Sequence, residues 1–168
     1  MSIVKRIRSA VRQRPLGYRM DEIMSGFHEF APGHGEPGRR PMEFRVTWAA
    51  PKLTRAFDPK SEDFLCHELT GEVSIEGLCE ATPCRGTLEL RYFRDQSIRY
   101  SFDFHVEGRR FHYVGEKVNI LPWNLPWSHT TCFGRLTDAD TGVLVSSSVT
   151  FFRMKTVPQF LRSFRLTA

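Results

Sequence analysis

Four residues combine acid–base chemistry with positions that a strand would turn away from water: Lys117, His67, Tyr100 and Tyr113. His67 stands among Leu65, Leu69 and Val73 at a spacing of two, and Lys117 follows Tyr113 and Gly115 at the same spacing. Burial lowers the pKa of a lysine or histidine, which is one way a protein readies such a group for proton transfer. If the chain is an enzyme, these four are its catalytic candidates. The reaction they suit is a cofactor-free cyclisation or isomerisation, in which the protein folds a flexible apolar substrate and one acid or base assists. Each residue also has a plainer reading. Lys117 can lay its stem on an apolar wall and snorkel its ammonium to water, and His67 can be a hydrogen-bonded core histidine. The sequence does not establish catalysis.

Other chemistries lack their signatures. His105 and His112 are expected to meet across a hairpin, but a catalytic metal wants three protein ligands, and Asp103 and Glu116 nearby read as a charged exterior. No metal and no cofactor is expected. There is no Gly-x-Ser-x-Gly elbow, Walker loop or dinucleotide glycine fingerprint. The four cysteines, Cys66, Cys79, Cys84 and Cys132, contain no C-x-x-C pair. A Glu80–Pro83 turn would let Cys79 and Cys84 meet, but reduced thiols are the expectation for a cytosolic chain.

The elements that position these residues are strands. Met42, Phe44, Val46 and Trp48 alternate with polar residues, as do Ile98, Tyr100, Phe102, Phe104 and Val106; a period of two marks half-buried strands. Asp63 to Glu76 alternates in the same way, whereas Met20 to Phe30 alternates poorly and leaves either His28 or Glu29 to point inward. Long strands joined by tight turns predict an all-β fold, a single antiparallel up-and-down barrel of about eight strands. A Gly108–Arg109 turn would set Phe104 opposite Tyr113, Phe102 opposite Gly115 and Tyr100 opposite Lys117. A three-residue Asp95–Ser97 loop would set Leu90 opposite Phe102 and Leu88 opposite Phe104. The barrel is expected over residues 16–155, with a basic helix at 1–15 and a basic, helix-like segment at 156–168.

Such a lining predicts an apolar ligand site. Trp48, Leu69, Leu90, Phe102, Phe104 and Tyr113 supply its walls, and Gly115, having no side chain, leaves room. Trp123 and Trp127, in a segment with two prolines, would form an apolar flap at the mouth. The formal charge of +5 alone does not indicate nucleic acid, and no RNA-binding or zinc-finger motif accompanies it. No secretory signal or membrane span is evident, so a cytoplasmic protein is expected, with peripheral membrane contact open to the N-terminal helix. The predicted partner is a small sterol-, lipid- or polyketide-like molecule; a protein-docking role is the other alternative.

Three motifs carry a resemblance. Gly17-Tyr18 followed by Met24-Ser25-Gly26 and Phe30, then Tyr113-Val114-Gly115-Glu116-Lys117, then Trp127 to Phe133 are similar to a lipocalin- or calycin-like β-barrel domain found beside GMC-type, cholesterol-oxidase-like flavoprotein modules. The resemblance spans roughly Gly17 to Met154. It implies a calycin-like barrel linked to sterol or lipid metabolism, with a separate oxidoreductase as a partner. Val118-Asn119-Ile120 departs from the acidic residues that often follow the lysine in similar domains, and the flavin module is absent.

Overall fold

A computed structural model describes residues 17–50, 52–61, 64–118, 131–152, 162 and 164–167. The expected N-terminal helix, the Trp123/Trp127 segment and most of the basic C-terminal tail lie outside them. The described chain is almost entirely strand: β1 (Gly17–Phe30), β2 (Arg40–Ala50), β3 (Cys66–Ile75), β4 (Cys79–Arg91), β5 (Ser97–Val106), β6 (Arg109–Lys117), β7 (Thr131–Asp138), β8 (Leu144–Phe152) and β9 (Arg165–Thr167). A four-residue helix, α1 (Leu53–Ala56), follows β2. Among the described residues no helix is long and apolar enough to cross a membrane.

Strands β1 to β8 pair antiparallel in chain order, and β1 closes the barrel by pairing with both β2 and β8. Along one edge of β1, β8 covers Met24–Phe30 while β9 covers Gly17–Arg19. Closure leaves no long unpaired edge.

Alternation decides what fills the cylinder. Met42, Phe44, Val46 and Trp48 of β2, Leu69, Val73 and Ile75 of β3, and Ile98, Tyr100, Phe102 and Phe104 of β5 are all buried. Fully burying one such side chain contributes about 1.5–3 kcal/mol, so these runs hold the sheet in one register parity. Phe44 packs against Tyr100, Phe102 and Tyr113 at ring-centroid distances of 5.6, 5.6 and 5.7 Å, and Phe102 stacks on Tyr113 at 4.8 Å.

Two pairings differ from the sequence reading, one by two residues and the other by four. Phe104 faces Phe111, Phe102 faces Tyr113, Tyr100 faces Gly115 and Ile98 faces Lys117. The turn is Glu107–Gly108, both with positive φ (50° and 80°), the conformation a two-residue type I′ hairpin requires. Likewise Leu88 faces Tyr100, Gly86 faces Phe102 and Cys84 faces Phe104, because the β4–β5 connection runs from Tyr92 to Gln96 rather than over three residues. A slip of two or four keeps every side chain on its predicted face. It does separate the two outer histidines: His105 faces Arg110, and His112 faces Asp103, to which its Nδ1 bonds at 2.5 Å. Cys79 and Cys84 lie in one strand with no turn between them, and the four thiols are free. Of the basic tail, Arg165–Thr167 is strand.

The barrel has two unlike ends. One gathers the connections at 31–39, 76–78, 107–108 and 139–143. The other gathers the starts of β1, β3, β5 and β7, the longer connections after β2, β4, β6 and β8, and α1.

Candidate functional site

Two clusters of inward-facing polar groups lie toward the long-connection end. Alternation in β1 puts Tyr18, Met20, Glu22, Met24, Gly26 and His28 on one face, because each pairs with an inward residue of β2, from Ala50 down to Arg40. Glu22 is therefore carried into the barrel, where it is 6% exposed. Lys117, the last residue of β6, points to the same place and is 3% exposed. Its Nζ donates to Glu22 Oε1 at 2.7 Å. The Tyr100 hydroxyl, on β5, donates to the same carboxylate, 3.0 Å from Oε1 and 2.9 Å from Oε2. The ammonium also lies over the rings of Tyr100 and Phe152, 5.2 and 5.8 Å from their centroids. Lys117 thus does not snorkel. A full carboxylate inside the barrel holds it there.

The charge of this pair reaches its neighbours. Burial, then the nearby Glu22 carboxylate, raises the Tyr100 pKa well above a phenol's ordinary value. Tyr92 is pushed up to about 12 by the same two causes. Cys132 is also pushed up to about 12, by burial first, with Lys117 pulling down and Glu22 pushing up. The phenols and the thiol stay protonated as donors at neutral pH, around a carboxylate that can only accept.

A second cluster lies beside the first. The Tyr18 hydroxyl and His67 Nε2 are 2.5 Å apart, and Trp48 meets both rings edge-on, at 6.0 and 5.1 Å between centroids. Burial lowers the His67 pKa, with the carbonyls of Leu88 and Leu65 working the other way, so the imidazole is neutral at pH 7. Among the described residues, His67 Nδ1 and Trp48 Nε1 are buried and find no hydrogen-bond partner. A buried donor left unpaired costs about 1–3 kcal/mol. His67 also lines a crevice of about 330 Å³ formed with Ala50, Ala56 and Thr87, beside the exposed Lys52 and Arg55. A larger groove of about 800 Å³ runs along Met42, Ile75, Gly77 and Cys79 and touches neither cluster.

The remaining residues expected in the site form the packed barrel. Leu69, Phe102, Phe104 and Tyr113 are 1% exposed or less, and Leu90 is half-buried. A void wide enough for water would expose surface on the side chains lining it, so none opens onto Leu69, Phe102, Phe104 or Tyr113, while Leu90 borders a crevice of about 410 Å³ with Phe64, Leu65 and Phe93. The inner glycines make room for a ring, not for a ligand. A Cβ at Gly115 would stand 2.8 Å from Tyr113 Cε1, and one at Gly134 would overlap the Tyr113 hydroxyl. That hydroxyl bonds Ser148 Oγ at 3.2 Å. The structure therefore brings Lys117 and Tyr100 together and sets His67 and Trp48 beside each other, while Tyr113 belongs to the packed middle. Trp123 and Trp127 are outside the described residues.

Sequence reasoning missed Glu22. The signal was its even spacing from Met20 and Met24, set against the expectation that carboxylates face water.

Compared with known proteins, the chain matches no family model, no curated protein and no solved structure. Fold and site define the class: a closed, eight-stranded antiparallel barrel of calycin-like form with a buried ion pair at one end. The calycin-like part of the resemblance fits this architecture; none of the comparisons supports the link to GMC-type flavoproteins.

Proposed function

We propose that the protein binds a small, largely apolar molecule bearing one polar head group, and that the head reaches the Glu22–Lys117–Tyr100 cluster from the long-connection end of the barrel. The buried ion pair carries this reading. Well-packed apolar residues in place of such a pair are often as stable or more so, so packing does not explain why the charges are there. Around the pair, Tyr100, Tyr92 and Cys132 all have raised pKa values, and ionisable groups perturbed in this way are where binding and catalytic sites concentrate. An ammonium has three N–H donors; among the described residues one of them meets Glu22, which suits Lys117 to an incoming carbonyl, hydroxyl or carboxylate oxygen. Because the middle of the barrel is filled, the apolar body of the ligand lies toward the end, near Tyr18, Trp48 and Leu90, rather than along the barrel axis.

The test is native mass spectrometry of the purified protein, joined to titration with a fluorescent fatty acid. A bound apolar molecule is expected, and the probe should bind at least about tenfold more weakly to the Glu22→Gln/Lys117→Met double variant, which loses the charged anchor. Equal binding by the folded double variant and the native protein would sink the reading.

The same cluster supports a second reading, the cofactor-free isomerase or cyclase. Glu22 would accept a proton while Tyr100 or Lys117 returned one to the substrate, a division of labour that needs an acid and a base within hydrogen-bond reach. Incubating the protein in deuterated water with extracted apolar metabolites tests it. Deuterium should enter a substrate with the native protein and not with Glu22→Gln.

A further inference from the structure

The long-connection end has a second property, independent of any ligand. Its apolar side chains point into water. Phe93, in the β4–β5 connection, is 86% exposed, and Phe57, just after α1, is 55% exposed. They belong to one ridge. Phe93 stacks on Phe64 at 6.4 Å. Phe57 and Phe164 lie on either side of Tyr18, at 6.3 and 5.7 Å. The two halves are tied through the backbone, since Leu65 N donates to Ala56 O and Leu90 N donates to Leu65 O. Val118 and Leu166 add exposed apolar surface at the same end.

Basic residues flank this ridge. Lys52, Arg55, Lys60, Arg94 and Arg165 are exposed around it. Arg162, in the stretch after β8, is exposed as well. Against these the connections at this end contain Asp58, Glu62, Asp63 and Asp95, the last paired with Arg91 at 2.6 Å. The tight-turn end is closer to neutral. Its connections hold Glu36, Glu76, Glu107 and Asp140 with Arg39, while Arg40 pairs with Glu36 and Glu76 and Arg110 with Asp140, and Val143 is their exposed large apolar side chain.

Exposed phenyl rings on several separate loops, flanked by cations that the far end does not match, fit one surface: a bilayer with anionic head groups. The rings partition into the head-group and acyl boundary while the cations are drawn to the lipid phosphates, and the uneven charge orients the barrel. We propose that the protein docks on anionic lipid membranes by its long-connection end, inserting Phe93 and Phe57. The described loops supply the contact, whatever the basic helix expected at 1–15 adds to it, and the reading does not rest on the ligand assignment. A protein partner would be met more readily by a flat, continuous patch than by ring tips standing on separate loops.

The full chain is spun with vesicles of phosphatidylcholine alone and of phosphatidylcholine mixed with phosphatidylglycerol. Binding to the mixed vesicles only is expected, and it should fade as salt approaches about 1 M, where the screening length falls to about 3 Å. Phe57→Ser/Phe93→Ser should weaken it by about tenfold or more, two buried rings being lost, while Val143→Ser at the opposite end leaves it unchanged. These side chains are exposed, so all variants should melt near the native temperature. In a Phe93→Trp variant, the added indole emission should shift to the blue on mixed vesicles and be quenched by brominated acyl chains. No vesicle binding, equal loss in Val143→Ser, or an indole that stays in water would each overturn the proposal. Retention on an acidic protein without vesicle binding would reassign the ridge and overturn it too.

Discussion

The two ends of the barrel each bury a histidine, and the contrast between them separates a structural residue from a candidate site residue. His28, at the tight-turn end, uses both ring nitrogens: Nε2 donates to the Glu76 carbonyl at 3.0 Å, and Nδ1 accepts from the Ser146 hydroxyl at 2.9 Å. A neutral imidazole has one donor and one acceptor, so His28 is fully satisfied. Asp138 nearby is equally well provided for, with Arg109, Thr141 and the amide of Asp140 all directed at its carboxylate. At the long-connection end, among the described residues, His67 engages one nitrogen and the Trp48 indole N–H finds no partner, and a whole ion pair sits in apolar surroundings. Polar groups that complete one another inside the chain are structure. Those that stay open point toward a further molecule.

The sharpest way to break this contrast is to remove one charge of the pair. Lys117→Met should destabilise the fold by about 3–5 kcal/mol, since Glu22 is left as an uncompensated buried charge, whereas Glu22→Gln/Lys117→Met should recover most of that loss. Urea denaturation measures both. A single variant no less stable than the double would show that water reaches the pair.

Next in size, His28→Phe should cost more than His67→Phe. The first strands the Ser146 hydroxyl and the Glu76 carbonyl, each worth about 1–3 kcal/mol when buried unpaired; the second strands only the Tyr18 hydroxyl. Equal losses in thermal unfolding would erase the difference between the two ends.

Both imidazoles have their pKa lowered chiefly by burial. The unfolded chain therefore takes up protons that the folded chain refuses as pH drops below about 6.5, the ordinary histidine value. Their contribution to stability is complete above that pH and is lost as pH falls toward the folded values. A urea-unfolding series across this range should show a declining midpoint, flattened in the His28→Phe/His67→Phe double variant; an unchanged slope would mean that neither histidine is held neutral. The smallest effect is expected for Arg109→Gln, which leaves the bonds of the Asp138 carboxylate to Thr141 and the Asp140 amide in place. Arg109 is 61% exposed, and the exposed member of such a pair contributes little. The change should move the melting temperature slightly without altering probe binding at the far end, and a change in binding would show the ends to be coupled.

Much of the barrel was readable beforehand because alternation is a local property. Met42 to Trp48, His67 to Ile75 and Ile98 to Phe104 announce their inner faces within a few residues, and His67 and Lys117 stood out as polar intruders on those faces. Tyr113 and Gly115 also fell on the right face but in the wrong role, since an expected vacancy is occupied by the tyrosine's own ring. Glu22 stayed hidden because a carboxylate on an inward position looks like a broken pattern until its cation is known.

The order of side chains along the chain thus determined which face each strand buries, and with it an all-β cylinder, because a strand's period of two is built into its backbone. Which residues meet across the cylinder was decided only in three dimensions. Pairing can slide by two without turning a side chain around, so the partners shifted while the faces held. Glu22 and Lys117 lie 95 residues apart, and only closure of β1 onto its two neighbours brings them within a hydrogen bond.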